Sequence, residues 1–482
     1  MAEEADPHLW LEDVEGEEAL DWVRQKNEVS VAEISAAPGF EALQARLLET
    51  YDSEDRIPYV GKMGEYYYNF WRDGNHERGI WRRTSLEEYR KEVPVWEVVL
   101  DLDAISEAEG ENWVWKGSEC LPPEYNTCLL QLSRGGADAK VVREFDLQSG
   151  SFVEHGFELA EAKSRVSWID EDTVFVGTDF GEASLTDSGY PRVVKRWTRG
   201  TPLEEAELFY EGEQSDVAAG AWHDHTPGFE RTFAYRSPTF WTDEFYWLSK
   251  KGLVQVEKPD DCEARVFQKW LFFETRSEWT IDGATYPAGS LLVTDFKRWM
   301  KGKRDVEVLF TPEERTSLRG VTYTQNHVVL TLLDNVRSRI TVLTPGKKGW
   351  ATSSIEGLPE QGSIRVWEED SDASDAYFLQ FSDYVTPSTL ARGVIGEGKA
   401  ERLKQLPPFF DATGLVITQH EAVSADGTPI PYFQVASKDL VLDGTTPTLL
   451  YGYGGFEISL LPGYRASVGI SWLEKGGVYA VA

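Results

Sequence analysis

The chain has 482 residues, 41 % of them hydrophobic, with 41 glycines, 18 tryptophans and three cysteines. That is too long for one ordinary core and too apolar for global disorder, and no apolar run approaches the roughly 18 residues that cross a membrane as a helix. With 82 acidic against 48 basic residues the net charge is −34. A phosphate backbone is repelled by such a chain, because its basic runs are short pieces such as Lys297-Arg298 and Lys301 to Arg304. Cys120, Cys128 and Cys262 are too few for a disulfide framework and form no C-x-x-C pair, so they are expected to be buried thiols of a protein in a reducing, cytoplasmic setting. The acidic opening, Met1 to Asp6, lacks the apolar stretch of a secretory signal.

Two helices open the chain. Leu20, Val23, Val31 and Ile34 recur at helical spacing over 17–34, and Pro38-Gly39 breaks the pattern. A second helix is expected over 40–51, with Leu43, Leu47 and Leu48 on one side. A polar stretch ending in Pro58 then serves as a linker.

From about Tyr59 to Lys404 the pattern is short strands between polar turns. Examples are Tyr66 to Phe70, Thr173 to Gly177, Leu291 to Asp295, His327 to Leu333 and Tyr377 to Phe381. Only one short helical turn is expected here, over 84–91. Such a length of antiparallel hairpins exceeds what one sandwich needs. A radial array of four-stranded sheets accommodates it, and at roughly 45–50 residues per blade about seven blades fit. Two successive sandwiches are the competing arrangement.

After Leu406-Pro407-Pro408 the pattern changes. Strands are expected over 415–421, 431–436, 447–451 and 477–482, the first two joined through Asp426-Gly427. The last two are uninterrupted apolar runs separated by a helical stretch over 466–474 that ends in Lys475-Gly476-Gly477. Strand, helix, strand in that order implies a parallel pair buried on both faces. Ending on an apolar strand, 478–482 is expected to leave an unfinished sheet edge.

The strongest local motif is Tyr451-Gly452-Tyr453-Gly454-Gly455-Phe456, directly after an apolar strand. Its glycines let a backbone approach another group closely. A dinucleotide loop would need G-x-G-x-x-G running straight into a helix, which this is not. The position matches the loop that carries oxyanion donors after the third strand of an α/β-hydrolase sheet.

This motif after Pro-Thr-Leu-Leu, followed by Tyr464-x-Ala-Ser and Trp472-Leu-Glu-x-Gly-Gly-Val, resembles the prolyl oligopeptidase family of serine peptidases. The opening Asp6-Pro7-x-Leu9-Trp10-Leu11-Glu12-Asp13 is similar to the family's first segment, and Asp187-Ser188-Gly189-Tyr190-Pro191 with Lys195-Arg196-Trp197 resembles bacterial members. The resemblance implies an all-β seven-bladed propeller over 56–405 and an incomplete α/β-hydrolase domain. That domain would combine the helical segment 1–55 with 406–482. It also implies a monomer that cuts short peptides after proline, without cofactor or metal. In the family the second tyrosine of the motif, here Tyr453, donates its hydroxyl to the oxyanion, and the phenylalanine, here Phe456, lines the proline pocket. A phenol with an ordinary pKa of about 10 is a neutral donor at pH 7.

The sequence departs from the family in one respect: no Gly-x-Ser-x-Gly occurs in it. In α/β-hydrolases the nucleophile follows the fifth strand, with Asp and His later still. Serine, aspartate and histidine are therefore expected beyond residue 482, and these residues alone are expected to be inactive. Other groupings do not replace the triad. His223-Asp224-His225 places two imidazoles on one strand face without an evident third metal ligand. His420-Glu421 reads as a surface pair, and Ser459 and Ser467 have no base nearby in sequence. The alternating segment 192–199 reads as a half-buried strand, or else as basic groups facing a central chamber. Two further readings are a non-enzymatic propeller that binds peptides or a protein partner, and an oligopeptidase that cuts after basic residues, against which Phe456 argues.

Overall fold

A computed structural model describes residues 6–13, 15–359 and 362–482. Between Gly61 and Gln405 it contains seven successive antiparallel sheets, each with its main strands in sequence order. They begin with the strands Gly61–Met63, Trp113–Cys120, Arg165–Asp170, Ala218–Asp224, Glu263–Phe267, Thr316–Tyr323 and Ser363–Glu368. The second sheet carries a fifth strand, Glu158–Ala162, and a small hairpin, Trp279–Ile281 with Ala284–Tyr286, interrupts the fifth sheet.

The middle strands explain the arrangement. A sheet packed on one side only alternates apolar and polar residues, but these strands carry buried apolar residues on both faces. Successive side chains point to opposite faces of a strand, and here each face meets a different neighbour. Leu130 packs with Tyr68 and Trp81 of the first sheet, whereas Leu129 packs with Trp168 and Val174 of the third. Phe175 and Val194 meet Ala219 of the fourth sheet, whose Phe233 and Phe245 pack with Leu271 and Leu292 of the fifth. Phe272 meets Val328 and Leu330 of the sixth sheet, while Val329 between them meets Val366 and Leu379 of the seventh. Finally Phe378 and Leu390 of the seventh sheet pack with Tyr67 and Tyr89 of the first. The contacts run once around and close, which two sandwiches with solvent-facing outer faces would not do.

Among the described residues no strand crosses the closure, because the first sheet is built from 61–101. Side chains hold it. The Tyr67 hydroxyl donates to Glu369 Oε1 at 2.7 Å, the Arg392 guanidinium grips both oxygens of Glu369 at 2.6 and 2.8 Å, and Lys62 pairs with Asp370 at 2.8 Å.

The remaining sheet has the order Leu415–Val423, Pro429–Ser437, Val478–Val481, Thr448–Tyr451, the last two parallel. The expectation for the final strand needs correction. Val478–Val481 is interior, paired on both sides and buried, because the connection through the helix Ala466–Ser471 brings it between earlier strands. The edge strands are Leu415–Val423 and Thr448–Tyr451, and Leu450 of the latter is 71 % exposed.

The N-terminal helices are α1, Glu17–Ser35, and α2, Phe40–Asp52. Leu43 and Leu47 of α2 pack on the core of the C-terminal sheet, and Arg46 pairs with Glu474 at 2.9 Å and reaches the Phe409 carbonyl. Val29, Val31 and Ile34 of α1 are exposed among the described residues. The helix Leu102–Glu109, capped by Asp101, is an element the strand pattern concealed.

Under the C-terminal sheet, Phe410 is buried and stacks on Tyr464 with ring centres 5.1 Å apart. A Cβ on Gly469 would lie 2.1 Å from Cδ1 of that ring. Since Phe410 is clamped, Gly469→Ala is expected to destabilise the chain by about 1–3 kcal/mol despite alanine's better helix propensity. Chemical denaturation read by tryptophan fluorescence checks this.

The cysteine expectation also changes. Cys120 and Cys128 lie opposite each other in the hairpin register and are joined as a disulfide, so only Cys262 is a free thiol. Residue counting could not see a pairing fixed by strand register. Burial pushes the Cys262 thiol up to about 12. No helix among the described residues is long and apolar enough to cross a membrane.

Candidate active site

The strand Thr448–Tyr451 delivers the chain into the glycine-rich segment. Tyr453 is 47 % exposed, and its ring lies back along Gly455. A Cβ on Gly455 would stand 3.0 Å from the tyrosine hydroxyl, so glycine permits this placement. Phe456 and Glu457 then take left-handed backbone conformations, φ +57° and +54°, uncommon for residues other than glycine. Such strain is found where surrounding contacts over-determine the backbone.

Those contacts come from the ring. Phe456 meets Phe240 at 5.0 Å between ring centres, and Phe240 abuts Trp241 edge-on at 4.8 Å. Glu457 pairs with Arg276 at 2.8 Å, and the same guanidinium lies 4.0 Å over the Trp241 ring. Ser459, Leu460, Leu461 and Arg465 share a cavity with Arg319, Arg365 and neighbours of the sixth and seventh sheets. The segment 456–465 therefore runs along one face of the ring, touching the fourth to the seventh sheets in turn. Two further links lie on this face: Arg315 to Glu421 at 2.7 Å, and the Gln419 amide to the Asn335 carbonyl at 2.8 Å.

Phe240, Trp241 and Arg276 were missed by sequence reasoning. The signal was present in Ser237-Pro238-Thr239-Phe240-Trp241-Thr242. A hairpin tip normally takes small polar residues, and two large exposed aromatics there mark a contact surface.

The other candidates separate from this site. His223 and His225 lie together at the end of the strand Ala218–Asp224 away from the Phe240–Trp241 turn, with rings 4.8 Å apart. His223 Nδ1 meets the Thr232 hydroxyl at 2.9 Å and His225 Nε2 the Trp168 carbonyl at 3.2 Å. Burial and the neighbouring imidazole hold His223 below the ordinary histidine range. His420 meets the Thr418 hydroxyl at 2.8 Å, beside the exposed Glu421. In 192–199, Arg192 pairs with Glu211, and Arg199 makes two 2.9 Å bonds to the buried Glu144, so these groups serve the sheets themselves.

The N-terminal β-propeller domain of prolyl oligopeptidase matches residues 2–405. An uncharacterised peptidase of Sinorhizobium fredii is 40 % identical over 99 % of this chain, which spans 67 % of that relative. A prolyl endopeptidase of Elizabethkingia meningoseptica is 24 % identical over 99 % of the chain and 65 % of its own length. Among solved structures, a post-proline cleaving enzyme from Rickettsia typhi superposes with a TM-score of 0.92 at 26 % identity, covering 98 % of this chain and 71 % of that one.

The ring of antiparallel sheets is thus a β-propeller. The chain belongs to the prolyl oligopeptidase family of peptidases.

Proposed function

We propose that this chain is the propeller and oxyanion-side portion of a post-proline oligopeptidase acting on short peptides. Its seven sheets are seven blades, 56–405. Residues 406–482 with 1–55 form the first part of an α/β-hydrolase domain. The observation that carries the reading is Tyr453, half exposed at the strand end and laid over Gly455, on a segment that runs along the propeller face.

The chemistry is acyl transfer. A serine attacks proline's own carbonyl carbon, a histidine takes its proton, and the carbonyl oxygen becomes an alkoxide. Collapse breaks the bond to the next residue, whose amine leaves with the histidine's proton, and water then frees the acyl group from the serine. Tyr453 donates its hydroxyl to that oxygen. A fixed donor aimed at developing charge lowers such a barrier by about 3–4 kcal/mol. Phe456, against Phe240, offers a flat apolar surface to the proline ring. The serine, the histidine and the aspartate that orients it belong to sequence outside these 482 residues, since no Gly-x-Ser-x-Gly lies within them.

A proline-linked chromogenic peptide tests this. The 482-residue chain is expected to leave it intact, whereas a polypeptide carrying this sequence together with a Gly-x-Ser-x-Gly segment releases the chromophore after proline. Turnover by the 482 residues alone, or cleavage elsewhere than proline by the longer protein, contradicts the proposal.

A further inference from the structure

Arginines in this acidic chain are mostly matched to carboxylates. Arg83 pairs with Glu97, Arg199 with Glu144, Arg236 with Glu244 and Arg392 with Glu369. The cavity between the sixth and seventh sheets and segment 459–465 breaks that habit. Arg319, Arg365 and Arg465 all line its volume of about 510 Å³. All three are exposed, and among the described residues none has a carboxylate within ion-pair distance. Three cations brought together without a counter-charge repel one another, an arrangement that suits an incoming anion.

The walls limit what that anion is. Leu460, Leu461 and Phe381 supply apolar surface beside the guanidinium groups. The volume accommodates a few peptide residues and not a folded chain. A guanidinium fork matches a carboxylate with two parallel hydrogen bonds. The cavity also joins the site described above. Arg465 precedes the helix Ala466–Ser471, and its guanidinium lies 5.4 Å over the ring of Tyr451, the last strand residue before the glycine-rich segment.

We propose that this cavity is a carboxylate-binding subsite that reads an anionic end or side chain of the bound peptide. The proposal rests on the peptide-binding reading above and adds a substrate preference to it. A carboxylate reaches the cavity in either of two ways, as the peptide's free C-terminus or as an acidic side chain. The −34 background does not prevent capture, because charges beyond about 8 Å are largely screened at physiological ionic strength.

Calorimetric titration of the 482-residue chain with three peptides tests it. They are Ala-Gly-Pro-Ala-Ala with a free carboxylate, its C-terminal amide, and that amide with glutamate in the last place. At least one acidic peptide is expected to bind about tenfold more tightly than the neutral amide, the worth of one charge-assisted pair. The tighter of the two identifies the source of the carboxylate. Arg319→Gln and Arg365→Gln are each expected to shrink that difference. Arg196→Gln, at an exposed position outside the cavity, is expected to leave it unchanged. Equal affinity for all three peptides overturns the subsite while peptide binding stands, and a difference that survives both arginine changes overturns it as well. Binding of none of them overturns both readings.

Discussion

In a catalytically complete polypeptide carrying this sequence, Tyr453→Phe is expected to lower kcat by about 10²–10³ and to change KM little. The substitution removes one oxygen and keeps the ring that lies along Gly455. Ground-state packing is therefore preserved, and the lost interaction is one made only as charge develops on the substrate oxygen. A purely structural role predicts the opposite division: reduced stability with kcat nearly intact. Steady-state kinetics on proline-linked peptides, beside a denaturation curve for the same variant, separates the two.

Arg392→Met is expected to cost about 3 kcal/mol or more, because it strips a buried carboxylate of its cation. Glu369 is 8 % exposed and lies where the seventh sheet meets the first, a junction that no strand pairing bridges among the described residues. Burial alone would push this carboxyl up, but the hydrogen bonds from Arg392 and Tyr67 outweigh it and hold Glu369 below the usual carboxylate range. The unfolded chain releases this proton at a higher pH than the folded one. The stabilisation is therefore fully present above the unfolded pKa of about 4.5 and is lost as pH falls through the lower folded value. The native ring is expected to lose stability in acid below pH about 4.5, and Glu369→Gln to flatten part of that dependence. Tryptophan fluorescence against urea across that range measures both effects.

Much of the architecture was legible because it follows from which strand faces are buried. Runs such as Val328 to Leu333 carry no alternation, and the structure shows why: Val328 and Val329 are buried against different neighbours. The parallel pairing of Thr448–Tyr451 with Val478–Val481 could be read from the apolar runs and the intervening helix, but the expected burial on both faces holds only for Val478–Val481, since Thr448–Tyr451 is exposed along its length. What sequence could not show was spatial order. The last strand inserts beside Pro429–Ser437, so the exposed edge falls one strand earlier than expected. The Cys120–Cys128 bridge depended on hairpin register in the same way.

The candidate site was legible in one half only. Tyr453 and Phe456 came from the motif and its family resemblance. Their partners Phe240, Trp241 and Arg276 stand about 180–220 positions away in sequence, as contacts between distant elements do. Periodicity reports the face of one element and is silent about which other element meets it. The three cavity arginines were hidden for the same reason, since Arg319, Arg365 and Arg465 sit on separate elements with nothing local to mark them.

The central claim is that peptides are held between the propeller face and segment 452–465. Photo-crosslinking the 482-residue chain with a short peptide carrying a diazirine-modified proline addresses it directly. The account predicts adducts on Tyr453, Phe456, Phe240 or Trp241, mapped by mass spectrometry and competed away by unmodified peptide. Competable adducts confined to the other end of the strand Ala218–Asp224, around Trp222 to Thr226, would contradict it.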